Sequence, residues 1–134
     1  MAYQALPTPA SLRAAVQAVA GRGEPLVVMT TLRGCVYCEL VRNSYLHPLM
    51  REGKAFAVQL DVQDRATTIQ DFDGHTTTPA ALAETWKAGF TPTVMFFGPD
   101  GRERAERLVG VSSRDFYGEY LNQRLETARQ GLRK

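Results

Sequence analysis

Both cysteines of this chain fall in one four-residue window, Cys35-Val-Tyr-Cys38, directly after a short apolar run and directly before a helical pattern. Two cysteines so close cannot staple distant segments together, so their role is local. At a strand-to-helix junction, four residues of helical geometry bring the two sulfurs to one side, within disulfide reach. The unpaired N–H groups of a first helical turn and the helix dipole both favour negative charge, which predicts a Cys35 thiol below the ~8.5 of a free cysteine and makes Cys35 the nucleophile. Cys38, one turn inside and shielded by the helix, is placed to attack a mixed disulfide and release the product. Burial as two small core residues is the plainer alternative, and the junction weighs against it. A zinc site would need two further ligands; only His47 and His75 are candidates, at spacings that match no compact zinc pattern. His47 reads as a cap or a solvent-facing residue before Pro48, and His75 as a loop residue.

The elements around this window alternate between helix and strand. Thr8-Pro9 predicts a helix start by a hydroxyl cap followed by proline, Leu12, Ala15, Val16, Val19 and Ala20 follow at helical spacing, and Gly21 and Gly23 close the helix. Pro25-Leu-Val-Val-Met-Thr-Thr has no polar alternation and suits a central strand covered on both faces. From Val36 a second helix is predicted, interrupted at Pro48, and Lys54 to Val62 reads as the next buried strand, parallel to the first. Gln63 to Thr78 reads as a long loop with one helical turn at most. Thr78-Pro79 repeats the cap-and-proline device for a helix with Leu82, Ala83 and Trp86 on its apolar face, ending at Gly89. Thr93 to Phe97 and Arg102 to Val109, joined across Gly98-Pro-Asp-Gly, are expected to pair as an antiparallel hairpin. Ser112 and Ser113 offer caps for a last helix with Phe116, Tyr120, Leu121 and Leu125 on one stripe, and the basic tail 129–134 is expected to fray. The aromatic residues Phe96, Phe97, Phe116, Tyr117 and Tyr120 are read as packing residues, and Trp86 as packing its helix onto the sheet. A single domain over residues 1–134, an α/β mixed sheet flanked by helices, is the economical architecture.

Composition excludes several classes. A hydrophobic share of 44% and a charged share of 22% are ordinary for a globular chain of this length. Sixteen basic and fourteen acidic residues leave a formal charge of +2 with no basic run, so nucleic-acid binding has no electrostatic footprint. The longest apolar runs fall far short of the ~20 residues that cross a bilayer. The opening Met1-Ala-Tyr-Gln-Ala-Leu-Pro lacks the charged and apolar regions of a secretory signal, which implies either a cytoplasmic protein or a mature form.

Cys35-Val-Tyr-Cys38 after its strand, and Thr91-Pro92 ahead of Thr93-Val-Met-Phe-Phe with Gly110 and the closing helix behind, together resemble the thioredoxin superfamily, over nearly the whole chain. The resemblance implies a thioredoxin-like fold in which Pro92 is cis and faces the cysteine pair while Thr91 offers backbone groups to a substrate chain. Without it, Pro92 would be a strand-initiating trans proline. The longer gap between the motifs, an insertion at 63–88 that carries a helix, with Tyr37 before Cys38 and Thr91 before Pro92, looks like thioredoxin-like proteins of the bacterial cell envelope, including the SoxW type. Those are exported and kept reduced by a membrane electron donor, so the resemblance implies a periplasmic mature form, with a cytoplasmic location as the alternative.

Three departures bear on mechanism. Arg33-Gly34 stands where thioredoxins carry a Trp, Val-Tyr replaces Gly-Pro between the cysteines, and Met29 occupies the position of their buried acid. Arg33 is positioned either to lower the Cys35 pKa or to remain a solvated charge, and Glu39 either to relay protons or to favour the helix dipole. The leading functional reading is a thiol–disulfide oxidoreductase that reduces or exchanges protein disulfides, with Cys35 and Cys38 catalytic and Thr91, Pro92, Arg33 and Gly34 holding the substrate. It calls for no organic cofactor and no metal, and for a monomer that meets protein or small-molecule disulfides and an upstream thiol donor. The alternatives are an oxidant or isomerase of the same fold, and a non-catalytic binding module with a redox switch.

Overall fold

A computed structural model describes residues 5–133. The reading of the first residues as free of a secretory signal rests on Met1 to Pro7, of which Met1 to Gln4 lie outside the described residues, as does the final residue of the tail, Lys134. The elements are α1 (Leu12–Ala20), β1 (Leu26–Thr31), α2 (Val36–Val41), a π-helical segment (Arg42–Leu46), α3 (His47–Arg51), β2 (Phe56–Asp61), β3 (Ile69–Gln70), β4 (Thr76–Thr77), α4 (Pro79–Thr85), β5 (Thr93–Phe97), β6 (Leu108–Val109) and α5 (Tyr117–Leu132). Four strands form one mixed sheet in the order β2-β1-β5-β6, with β1 parallel to β2 and antiparallel to β5, and with β6 antiparallel to β5.

Every residue of β1 is buried, because successive side chains enter different cores. Val27 and Met29 pack with Val94, Phe96, Val41, Leu46, Leu121 and Leu125 under α2 and α5. Leu26 and Val28 pack with Met95, Phe97, Leu12, Val16 and Leu82 under α1 and α4. A strand covered on both faces has no polar alternation to show, which is why the apolar run 25–29 reads correctly as central. The mixed sheet flanked by helices is as expected.

Several local expectations are corrected. Helix α1 is capped by Ser11, whose Oγ accepts the Ala14 N–H at 3.0 Å, and not by Thr8, whose hydroxyl donates to the Gln59 carbonyl while residues 6–10 run alongside β2 and β3. The helical interruption lies upstream of Pro48: that residue has no N–H for the Ser44 carbonyl, and the backbone widens to i→i+5 bonding over Arg42–Leu46, the His47 N–H reaching the Arg42 carbonyl. Within 63–78 there is no helical turn but an antiparallel pair, Ile69 with Thr77 and Gln70 with Thr76. Thr78 does cap α4, accepting the Ala81 N–H at 3.2 Å, yet α4 ends before Gly89, because Lys87 takes the left-handed position (φ 55°) and Ala88 N–H bonds the Ala83 carbonyl at 2.8 Å. The return strand to β5 reduces to β6 and one bridge between Phe97 and Glu103. Neither Ser112 nor Ser113 caps α5; the buried stripe is Tyr117, Leu121, Leu125 and Ala128, which leaves Phe116 and Tyr120 exposed instead of core. The helix runs on to Leu132, and Arg129 is tied to Glu24 at 2.7 Å, so fraying does not begin at 129. Trp86 packs as expected, stacked on Phe72 and tilted against Phe97.

Candidate active site

The chain leaves β1 at Thr31 and reverses through Leu32-Arg33-Gly34, a turn closed by the Cys35 N–H on the Leu32 carbonyl at 3.2 Å. Gly34 sits at φ 81°, a conformation that side-chain-bearing residues avoid, and this delivers Cys35 to the head of α2. There Cys35 is the N-cap residue, and its Sγ accepts the Cys38 N–H at 3.1 Å. The two sulfurs are bonded, with Cα atoms 5.2 Å apart. Cys35 is half-buried while Cys38 is 1% exposed, so an incoming sulfur meets Cys35 first.

The second motif comes from the loop that enters β5, the strand paired antiparallel with β1. The Thr91–Pro92 peptide is cis, and the Thr91 hydroxyl points at Cys35 Sγ from 3.7 Å. The loop is pinned by the Thr93 N–H on Thr30 Oγ1 at 3.1 Å, and by the Gly110 N–H on the Pro92 carbonyl at 2.7 Å. Two segments 56 residues apart in sequence therefore meet at one sulfur. Arg33 and Gly34 are exposed on the turn. Around this point three large apolar side chains stand in solvent: Val36 at 73%, Tyr37 at 47% and Phe90 at 67% exposure.

Beside the turn lies a cavity of about 320 Å³ lined by Leu32, Arg33, Gly34, Glu39, Arg42 and Asp61. Met29, at the position of the missing acid, is fully buried, and its cross-strand neighbour Gln59 accepts the Leu6 N–H through Oε1 at 2.9 Å. The strands beneath the cysteines thus present no carboxylate at that register. His47 opens α3, and His75 sits on the β3–β4 hairpin 3.9 Å from the Asp71 carboxylate; among the described residues neither is grouped with the cysteines as a set of metal ligands. Asp71, Asp73 and His75 bring one ligand atom each within 4.8 Å, but the Asp71 carboxylate is already accepting the Asp73 and His75 N–H groups, so the cluster is explained as a capped turn.

A thioredoxin-like domain model matches residues 12–125. The chain belongs to the thioredoxin-like domain family. Among solved structures it is similar to mitochondrial thioredoxin 3 of Saccharomyces cerevisiae (13% identity, TM-score 0.56, covering 90% of this chain and 93% of that one). It is likewise similar to Plasmodium falciparum thioredoxin (16%, 0.55, 90% and 97%) and to Fasciola hepatica thioredoxin (16%, 0.54, 87% and 93%). At these identities the likeness is one of fold. No curated protein sequence matches the chain. Among the described residues, no helix is long and apolar enough to cross a membrane. A thioredoxin-like fold with its cysteine pair at disulfide distance is consistent with thiol–disulfide oxidoreductase chemistry.

Sequence reasoning passed over Phe90, which lies ahead of β5, and Arg42, which is 2% exposed. The signal for Arg42 was present: it is the one charge on a helical stripe otherwise made of Cys38, Val41, Tyr45 and Leu46.

Proposed function

We propose that the protein is a thiol–disulfide oxidoreductase of the reductase or exchange type, acting on protein disulfides. The observation that carries this reading is the convergence on Cys35 Sγ: bonded to Cys38, capped by the Cys38 N–H, and approached by the Thr91 hydroxyl. Donors aimed at a sulfur favour its thiolate over its thiol. In the reduced protein the Cys35 thiolate attacks one sulfur of a substrate disulfide, and the other leaves as a thiolate, forming a mixed disulfide. Cys38 then loses its proton, attacks the Cys35 sulfur and expels the second substrate thiolate. Two electrons pass to the substrate and the Cys35–Cys38 bond forms.

The exposed Val36, Tyr37 and Phe90 border this path, which favours a substrate chain with apolar residues flanking its disulfide. The carbonyl and N–H groups around Thr91, with the Arg33-Gly34 turn, hold that chain. The chemistry needs no organic cofactor, since both electrons reside in the sulfur pair. Tyr37 before the second cysteine and Thr91 before Pro92 support a place among cell-envelope members of the family, SoxW-like proteins included, as a periplasmic monomer recharged by a membrane thiol donor. Cell fractionation and sedimentation check these two points.

Turnover of a protein disulfide by the wild type and by Cys35→Ser tests the reading. Activity is expected in the first and background in the second; equal turnover would refute it. The direction of electron flow follows from the reduction potential in glutathione buffers: near −270 mV supports the reductase, while near or above roughly −180 mV moves the protein to the oxidant or isomerase class.

A further inference from the structure

Arg42 lies one helical turn after Cys38, its N–H bonded to the Cys38 carbonyl, and both side chains are turned into the protein. Residues four apart on a helix share a face, and a helical side chain leans toward the N-terminus over the preceding turn. The cavity shows how far this one reaches: Arg42 lines it together with Leu32, Arg33 and Gly34, residues that precede the helix altogether. The Arg42 side chain therefore reaches from its own turn of the helix back to the cavity beside the active-site turn. The other charged groups of that cavity are Arg33 on the turn, Glu39 on α2 and Asp61 at the end of β2. From β1 the uncharged Val27 and Met29 enter the core under the same helix, and α5 contributes to it the neutral phenol of Tyr117, whose ionisation burial pushes upward.

We propose that Arg42 is the positioning residue of the buried thiol: its cationic side chain, laid beside Cys38, supports the Cys38 thiolate and so favours the dithiol form of the pair. This rests on the oxidoreductase reading and deepens it. A buried thiol is otherwise held protonated, which slows the resolving attack. With a guanidinium beside it, Cys38 releases its proton to water and attacks the Cys35 sulfur without the strand carboxylate whose place Met29 occupies.

The experiment compares equilibrium constants with glutathione for the wild type, Arg42→Met and Arg42→Lys. Arg42→Met is expected to disfavour the dithiol about tenfold, ~30 mV more negative, while Arg42→Lys, which keeps the charge, stays within about twofold of the wild type. Identical constants in all three, or equal shifts in both variants, would overturn the proposal. Should Arg42→Met fail to fold, the Cys35→Ser protein decides alone through the thiolate absorbance of Cys38: titration at or below about 8.5 supports a cation beside the sulfur, and titration above it overturns the idea. Loss of the oxidoreductase reading looks different, as a wild type that turns over no disulfide.

Discussion

Where β1 begins, the surface is closed by paired charges; where it ends, apolar side chains and a bonded sulfur pair stand open to solvent. At the first end Glu24 receives the Arg129 Nε at 2.7 Å, the same guanidinium donates to the Lys54 carbonyl, and Arg22 lies over the Phe56 ring at 5.3 Å. These contacts tie α5 to the chain entering β1 and β2. At the second end Val36, Tyr37 and Phe90 are left uncovered, and polar groups turn toward Cys35 in place of one another. The difference teaches that one sheet can divide its labour: crevices at the carboxyl ends of parallel strands suit ligands, while the opposite ends are free to serve stability.

If that division is right, mutations at the two ends should separate cleanly. Cys35→Ser has the largest effect on function, reducing disulfide turnover to background while the melting temperature stays that of the reduced wild type. Glu24→Ala does the reverse. It takes the carboxylate from the partly buried Arg129, which keeps the Lys54 carbonyl and Glu126, and a loss of about 1–2 kcal/mol, below the ~3–5 of a buried charge left unpaired, is expected in denaturant titration with turnover unchanged. Phe90→Ala sharpens the comparison at the open end: it should raise KM for a protein disulfide about fivefold, leave kcat for a small disulfide alone, and cost little stability, since the ring is largely exposed. Thr91→Val is the smallest, removing one weak O–H donor from Cys35 Sγ and raising the Cys35 thiol pKa by less than about one unit, read from the pH profile of alkylation.

The legible parts of the fold were those in which neighbouring residues agree. The apolar runs of β1, β2 and β5, the cap Thr78 and the turn before Cys35 each carry their own local reason. The π segment was half legible: Pro48 announces a break, but the backbone absorbs it in the turn before the proline, over Arg42–Leu46. The stripe of α5 was shifted by one residue, since Phe116 and Tyr117 are both aromatic and only the fold decides that Tyr117 is the one that joins the core with Met29 and Leu121. The ordered tail was not legible at all, because Arg129 is held by Glu24 from 105 residues away. At the site, the cysteines and Thr91-Pro92 stood out as motifs. Phe90 did not, because an aromatic ahead of a strand looks like core until its exposure is seen.

The most direct test of Cys35 as attacker and Cys38 as resolver is trapping. Cys38→Ser, reduced and mixed with a protein disulfide, should accumulate a covalent mixed disulfide through Cys35 that reducing agent releases, whereas Cys35→Ser should trap none. Equal trapping by the two variants, or trapping through Cys38 alone, would contradict the assignment.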